Sequence, residues 1–476
     1  MRRIIAHTHA GTGTGTGTRA GSRPSARACA GTGTRAGILA VALLSLALPA
    51  RANAQAAAPG PATPDEGVLG EFVITGSNAG QVPLPKIAIL PSLSPDLEDV
   101  IVRGVVRRDF ELTGMYDLIS DSKAPPGLYG FDDPIDVEAW QKLGAEAIVK
   151  VAAQKKSDTQ IQVLGIAYFL NVGKEPVYQK TIVVNKGDAR LTGHRITDAL
   201  LGAFTGRNGS FASELTFSGK WAQNRRIFRM DADGNSLLAF TDPNDTAIAP
   251  NFGAPGHIFY SVSHNYSPFG VMEYFAGTSK PLVLPFKTSV YSLAFNKDRS
   301  KLAVAVSGEA KSAIYVGNPD GSGMNKVSTS ELATRPAWSP SGKLAWVGGD
   351  PAQGSQRIWV DGKPVSPAGF TAASPSFCDT EDGVKLIYSV AVGGNRQDLV
   401  IAAEKGQNMA RLTQNQGSNS YPACSPDGRL VAFFSNRNKS PGIWLMSLKS
   451  WKAQQISTQE GESLNWALLP AVPGAP

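Results

Sequence analysis

Hydrophobic positions change rhythm once along the chain. Between residues 86 and 206 short apolar runs alternate with helical periods. KIAILP (86–91) reads as a buried strand, and DLEDVIVRGVVRRDFELTG (96–114) as a helix with Leu97, Val100, Ile101, Val105 and Phe110 on its apolar face, ending at Gly114. YDLIS (116–120) is a strand and VEAWQKLGA (137–145) a helix. EAIVKVAAQ (146–154), IQVLGIAYFL (161–170) and PVYQKTIVV (176–184) are strands, the last two a hairpin, and RLTGHRITDALLGAFTG (190–206) is an amphipathic helix. This predicts a small α+β domain over 71–205, opened by the strand-like run EFVIT (71–75).

From about residue 212 the helical period stops, and only short strands and Gly, Pro and Asp turns remain. One grammar recurs there: a bulky anchor, a turn, then an alternating apolar run. RPAWSPSGKLAWVGG (335–349) and YPACSPDGRLVAFFS (421–435) are its clearest copies. The anchors are Phe252, Phe295, Trp338, Phe377, Cys424 and Trp466, spaced 43, 43, 39, 47 and 42 residues apart. A period near 40–45 residues of short strands is the mark of propeller blades of four strands each. The last copy has only its first strand; ELTFSG (214–219), NRRIFRMDADG (224–234) and SLLAFT (236–241) supply the rest, so a six-bladed β-propeller over 212–470 closes through a composite blade. The anchors Trp338, Phe295 and Phe377 read as packing between blades, and DADG (231–234) as a turn rather than a calcium loop, because it lacks the remaining oxygen ligands.

Charge first suggests an anionic partner, then withdraws the suggestion. Of 46 Lys and Arg, seven Arg lie in residues 1–54, which hold no Asp, Glu or Lys; the remainder carries 39 basic and 39 acidic residues. Nucleic-acid binding is therefore not expected. Residues 1–54 read as a signal peptide: a basic start, the apolar run ILAVALLSLALPA (38–50) and a small-x-small site at Ala52–Ala54. The long GTGTGTGT-containing start is either a true n-region or the result of a start codon placed upstream of the real one. Residues 55–70, rich in Ala and Pro, read as a disordered linker. The signal predicts export, and the expected state is a monomer with no direct membrane insertion.

Catalytic chemistry is hard to find. No G-x-S-x-G, P-loop, H-E-x-x-H or C-x-x-C motif stands in a suitable context. Three histidines follow the signal: His194 on the last helix, and His257 and His264, which could share a metal but read better as structural residues. No cofactor, metal or catalytic residue is expected. Cys378 and Cys424 are either a disulfide or two buried thiols, the second favoured because Cys424 stands where other copies place an aromatic residue.

The segment EFVITGSNAGQVPLPKIAILP (71–91), the run WQKLGAEAIV (140–149), the D-x-D-G (231–234) and the SPSG and SPDG turns (339–342, 425–428) together resemble the TolB family of the Tol-Pal envelope system. The resemblance covers essentially the whole chain from residue 71, although only two repeats keep Ser-Pro at the turn. It implies a non-enzymatic periplasmic scaffold with a role in outer-membrane integrity and cell division. It further implies that Glu71, Phe72, Val73, Ile74 and Thr75 meet a TolA-like inner-membrane protein. The propeller rim would meet Pal, a peptidoglycan-associated lipoprotein, through Thr246, Ala249, Ser289, Tyr291, Thr334, Arg335, Asn419 and Tyr421. Thr334 and Arg335 are taken as surface positions whose substitution leaves stability nearly unchanged. Two alternatives stay open: residues 71–75 form an edge strand of the α+β domain, or the channel holds a peptidase- or glycan-active site. The inner strands, which read NFG, AFN, AWS, SFC, ACS and NWA, carry no acid or His for the second.

Overall fold

The computed structural model describes residues 83–470, apart from 174, 309–310 and 351–353. The expected signal, linker and 71–75 segment lie outside the described residues. In the first half, β1 (Lys86–Ile89), β2 (Asp117–Leu118), β3 (Ala147–Lys155), β4 (Gln160–Phe169) and β5 (Pro176–Asn185) form one sheet in the order β2-β1-β3-β4-β5. β1 is parallel to β2 and β3, whereas β3, β4 and β5 are antiparallel. Burial explains the sequence pattern: β3 is buried along most of its length, and β5, at the edge, alternates half-buried with exposed positions.

Helix α1 (Leu97–Thr113) packs on β3 and on α3 (Ala189–Thr205); α2 (Val137–Lys142) buries Trp140. α1 ends at Gly114 in the left-handed region, φ 58°. Its buried face differs from the predicted one. Leu97 and Val100 are exposed, and the helix buries Val102, Val105, Val106 and Phe110 together with Asp99 and Asp109. The two carboxylates disguise the stripe in sequence. Asp99 is tolerated because its carboxylate accepts from the Ala153 backbone N–H at 2.6 Å and from Ser92 Oγ.

After α3 the chain is all strand apart from one short 3₁₀ turn among the described residues. Four antiparallel four-stranded sheets start with the strands Val290–Phe295, Ala333–Trp338, Ala372–Thr380 and Asn419–Cys424. The remaining strands form an eight-stranded sheet rather than two separate ones, because a single parallel pairing, Arg225 with Thr246, links two groups of four. One group starts at Thr246–Phe252. The other joins the chain's last strand, Gly461–Leu468, antiparallel to Ser213–Trp221. Each first strand lies against the next: 246–252, 290–295, 333–338, 372–380, 419–424, 461–468, and back to 246–252.

A hydrophobic cluster runs without a break from Val149 and Phe110 through Leu215 and Phe228 to Leu445 and Trp466. All described residues consequently fall in one compact unit. Polar contacts reinforce the seam: Arg429 donates to Thr205 Oγ1 at 2.8 Å and to the Arg207 carbonyl at 2.6 Å, and Gln454 Nε2 donates to the Glu111 carbonyl at 2.6 Å.

Candidate functional site

The first strands share an irregularity that the repeat grammar only hints at. Each shifts register near its start. At that point Ala249 (φ 50°), Arg335 (52°), Ser374 (55°), Tyr421 (52°) and Ser463 (56°) all adopt left-handed backbone. Four of the five precede proline, at Pro250, Pro336, Pro375 and Pro422. A non-glycine residue in this region costs about 1–2 kcal/mol, and bulges of this kind re-aim side chains. Strain repeated at equivalent positions needs a structure that over-determines it, and such sites cluster where ligands bind. All five residues line a single cavity of about 80 Å³.

Arg335 crosses this cavity. Its guanidinium donates to Ser374 Oγ at 2.8 Å and to Tyr421 Oη at 3.0 Å, and stacks 4.7 Å from the Tyr421 ring centroid. Tyr421 Oη in turn donates to Glu462 Oε2 at 3.3 Å, and Glu462 pairs with Arg225 at 3.4 Å. Burial pushes the Tyr421 hydroxyl pKa up, against the opposing pull of Arg335, so the phenol stays a neutral donor. Arg335 is therefore a half-buried brace between three first strands, not the freely substitutable surface position expected.

Two further cavities, of about 210 and 530 Å³, are both lined by all six repeat anchors, Phe252, Phe295, Trp338, Phe377, Cys424 and Trp466. The anchors thus do more than pack between sheets. Phe295 and Trp466 are buried, yet each shows one side to the space enclosed by the first strands. The indole N–H groups are satisfied at the strands themselves: Trp338 Nε1 donates to the Ala294 carbonyl at 3.2 Å and Trp466 Nε1 to Ser213 Oγ at 2.7 Å.

Cys378 and Cys424 form a disulfide, which corrects the preference for free thiols. Cys378 lies on 372–380 and Cys424 on 419–424, so the bond joins the first strands of adjacent sheets, with Cα atoms 5.4 Å apart. Cys424 keeps the anchor position; its side chain turns into a partner's reach because the neighbouring copy places a second cysteine one residue past its own anchor, Phe377.

The structure gathers only part of the expected rim. Ala249, Arg335 and Tyr421 meet in the small cavity, joined by Ser374 from a degenerate copy and Ser463 from the truncated one, neither of which was expected at the rim. Their signal was in the sequence, as the X-Pro dipeptide at the start of the copy for Ser374. Thr246, Ser289, Tyr291 and Thr334 do not line that cavity. Thr246 bonds Asn224, Ser289 Oγ accepts from the Phe269 N–H at 3.1 Å, and Tyr291 is exposed against Phe269. Asn419 is fully buried and internally committed, accepting from Ser435 Oγ at 2.8 Å and from Arg437 at 3.1 Å. His257 and His264 pair with different carboxylates, Glu273 at 2.6 Å and Asp245 at 2.7 Å, and do not form a shared metal pair. DADG closes a turn through Gly234 N–H to the Asp231 carbonyl, as expected.

Residues 71–166 match the family described as the TolB amino-terminal domain. Tol-Pal system protein TolB of Syntrophotalea carbinolica is 26% identical over 192 residues, 39% of this chain and 42% of that protein. The namesake from Dinoroseobacter shibae is 27% identical over 177 residues, 36% and 39% of the two chains. The alignments thus span about two-fifths of the length of these relatives. Among solved structures, TolB from Acinetobacter baumannii superposes with a TM-score of 0.66 at 18% identity, covering 81% of this chain and 97% of that one. Residues 71–166 thus match the TolB amino-terminal domain, in a molecule that resembles Tol-Pal system TolB proteins in sequence and shares the TolB fold.

Proposed function

We propose that the chain is a non-enzymatic scaffold of the Tol-Pal system, exported to the periplasm by a signal peptide cleaved near Ala54. On this reading residues 71–205 and 212–470 are its two working parts, and the six groups of strands are blades of a closed six-bladed propeller. Glu71–Thr75 would engage a TolA-like inner-membrane protein, and the mouth of the axial cavity a Pal-like peptidoglycan-associated lipoprotein, linking the two membranes in support of outer-membrane integrity and cell division. The observation that carries the reading is the convergence of five left-handed bulge residues on one cavity, in a chain whose residues 71–166 match the TolB amino-terminal domain. A rigid, pre-strained mouth lowers the ordering cost of docking a partner.

The experiment is affinity capture from an envelope extract with the mature protein, comparing wild type, a Ser374→Asp/Ser463→Asp double variant and a form lacking residues 55–82. Recovery of a peptidoglycan-binding lipoprotein by wild type and the deletion, but not by the double variant, supports the mouth as its site. Loss of an inner-membrane partner only in the deletion supports the amino-terminal role. Capture that none of the changes alters refutes the assignment.

A further inference from the structure

Three of the turns that lead out of a first strand close in the same way. Gly342 donates its backbone N–H to the Ser339 carbonyl at 3.0 Å, Gly428 to Ser425 at 2.9 Å, and Arg299 to Asn296 at 3.0 Å. At the first two, φ of 86° and 71° calls for glycine. Arg299 takes the same left-handed place at φ 62°, where a Cβ is strained. Strain of this kind, kept where the counterparts are glycine, marks positions whose side chain has a task.

The Arg299 side chain faces the space enclosed by the first strands. It lines both the 210 Å³ and the 530 Å³ cavity. The larger cavity takes in Gly253, Ser339, Ser425 and Leu468, at or just past the ends of the first strands, opposite the left-handed mouth residues. Among the described residues the guanidinium makes one hydrogen bond, from Nη1 to the Phe252 carbonyl at 3.2 Å, and meets no carboxylate. Burial pushes its pKa down, with no acid beside it to offset the cost. Arg299 is the one charged residue among those lining the smaller cavity. In the larger, Lys297 is answered by Asp379 at 3.4 Å, so Arg299 is again the unbalanced charge. A half-buried cation without a counterion calls for an anion.

The walls define the rest of the ligand. Phe252, Phe295, Trp338, Phe377 and Trp466 line both cavities and share them with the guanidinium. Inorganic phosphate carries more than one charge and no apolar body, which suits neither a lone arginine nor five rings. A carboxylate carries a single charge and matches the planar arginine fork with two oxygens. An aromatic body on that carboxylate would pack against the rings. We propose that the cavity at the turn end of the first strands binds a small aromatic monocarboxylate, with Arg299 holding the carboxylate and the aromatic anchors holding the ring. Its 530 Å³ lies within the range of about 300–1,000 Å³ usual for small-molecule sites. The proposal is independent of the Tol-Pal reading.

The test is isothermal titration calorimetry of the mature protein with 2-naphthoate, its uncharged amide 2-naphthamide, and inorganic phosphate. 2-Naphthoate should bind at one equivalent, about 10–100-fold more tightly than the amide, as a charge-assisted hydrogen bond provides. Arg299→Gly gives the turn the residue of its counterparts, so it should melt no lower than wild type yet lose the preference for acid over amide. Failure of 2-naphthoate to bind, equal affinity for acid and amide in wild type, or a preference that survives Arg299→Gly overturns the proposal. So does phosphate binding as tight as that of 2-naphthoate, which would make the cavity a site for inorganic anions. Should the variant fail to fold, the wild-type comparison of acid, amide and phosphate decides the matter.

Discussion

Breaking the Cys378–Cys424 bond should cost much of the stability of the strand-rich part. The bond closes a loop with a sequence separation of 46. The chain-entropy model puts the stabilisation near 4 kcal/mol for such a loop, with about 2–4 kcal/mol the usual range. A folded body of roughly 390 residues has an unfolding entropy of about 0.8 kcal/mol/K, so the melting temperature should fall by roughly 2–5 °C. The perturbation is Cys378→Ser with Cys424→Ser, compared with wild type by scanning calorimetry with and without dithiothreitol. Reductant should lower the wild-type melting temperature to that of the double variant and leave the variant where it is. Thiol counting in denaturant should find no free thiol in the untreated mature protein. Two free thiols, or a melting temperature insensitive to reductant, would refute the argument that the bond between adjacent first strands holds their sheets together.

Four other outcomes are expected. Arg335→Lys keeps the charge but cannot reach Ser374 and Tyr421 with one fork; equilibrium unfolding should show a loss of about 1–2 kcal/mol, and no measurable change would mean that the brace carries no energy. The two Ser-Pro turns should part company in chemical denaturation: Gly342→Ala, at φ 86° with open space, should cost about 1–2 kcal/mol, whereas Gly428→Ala places a Cβ 2.1 Å from the Asp379 carbonyl and should cost at least twice that. Burial, which outweighs backbone donors from Ala212 and Phe211, pushes the Asp198 carboxyl up to about 7. Since an unfolded Asp titrates near ~3.9, Asp198 contributes stability at low pH that is lost as pH rises to 7; calorimetry from pH 4 to 8 should show this slope, and Asp198→Asn should flatten it. Truncation before Gly461 removes the strand paired to Ser213–Trp221 and exposes its edge, so light scattering should detect aggregation.

Local periodicity was enough to place the helices and strands of 86–206 and to find the 39–47-residue repeat, because alternation and turn chemistry are written residue by residue. Pairing of the chain's last strand with 213–221 was legible too, since the final copy is visibly incomplete. Spatial coincidence was not. Asp99 and Asp109 look like solvent-side breaks in a helical stripe, and only the elements packed around them show that both are buried. The cysteines gave no sign of pairing in their 46-residue separation, because the distance that matters is between neighbouring strands of different sheets. Arg335 reads as a surface residue until a left-handed bulge turns it across the mouth to Ser374 and Tyr421. Asp109, His194 and Asp233 come together from two helices and a turn far apart in the chain. Sequence determines what each segment can bury and where it must bend; which buried polar groups meet is decided when separate segments dock, as the cost of leaving such groups unpaired selects among arrangements that the local pattern permits equally.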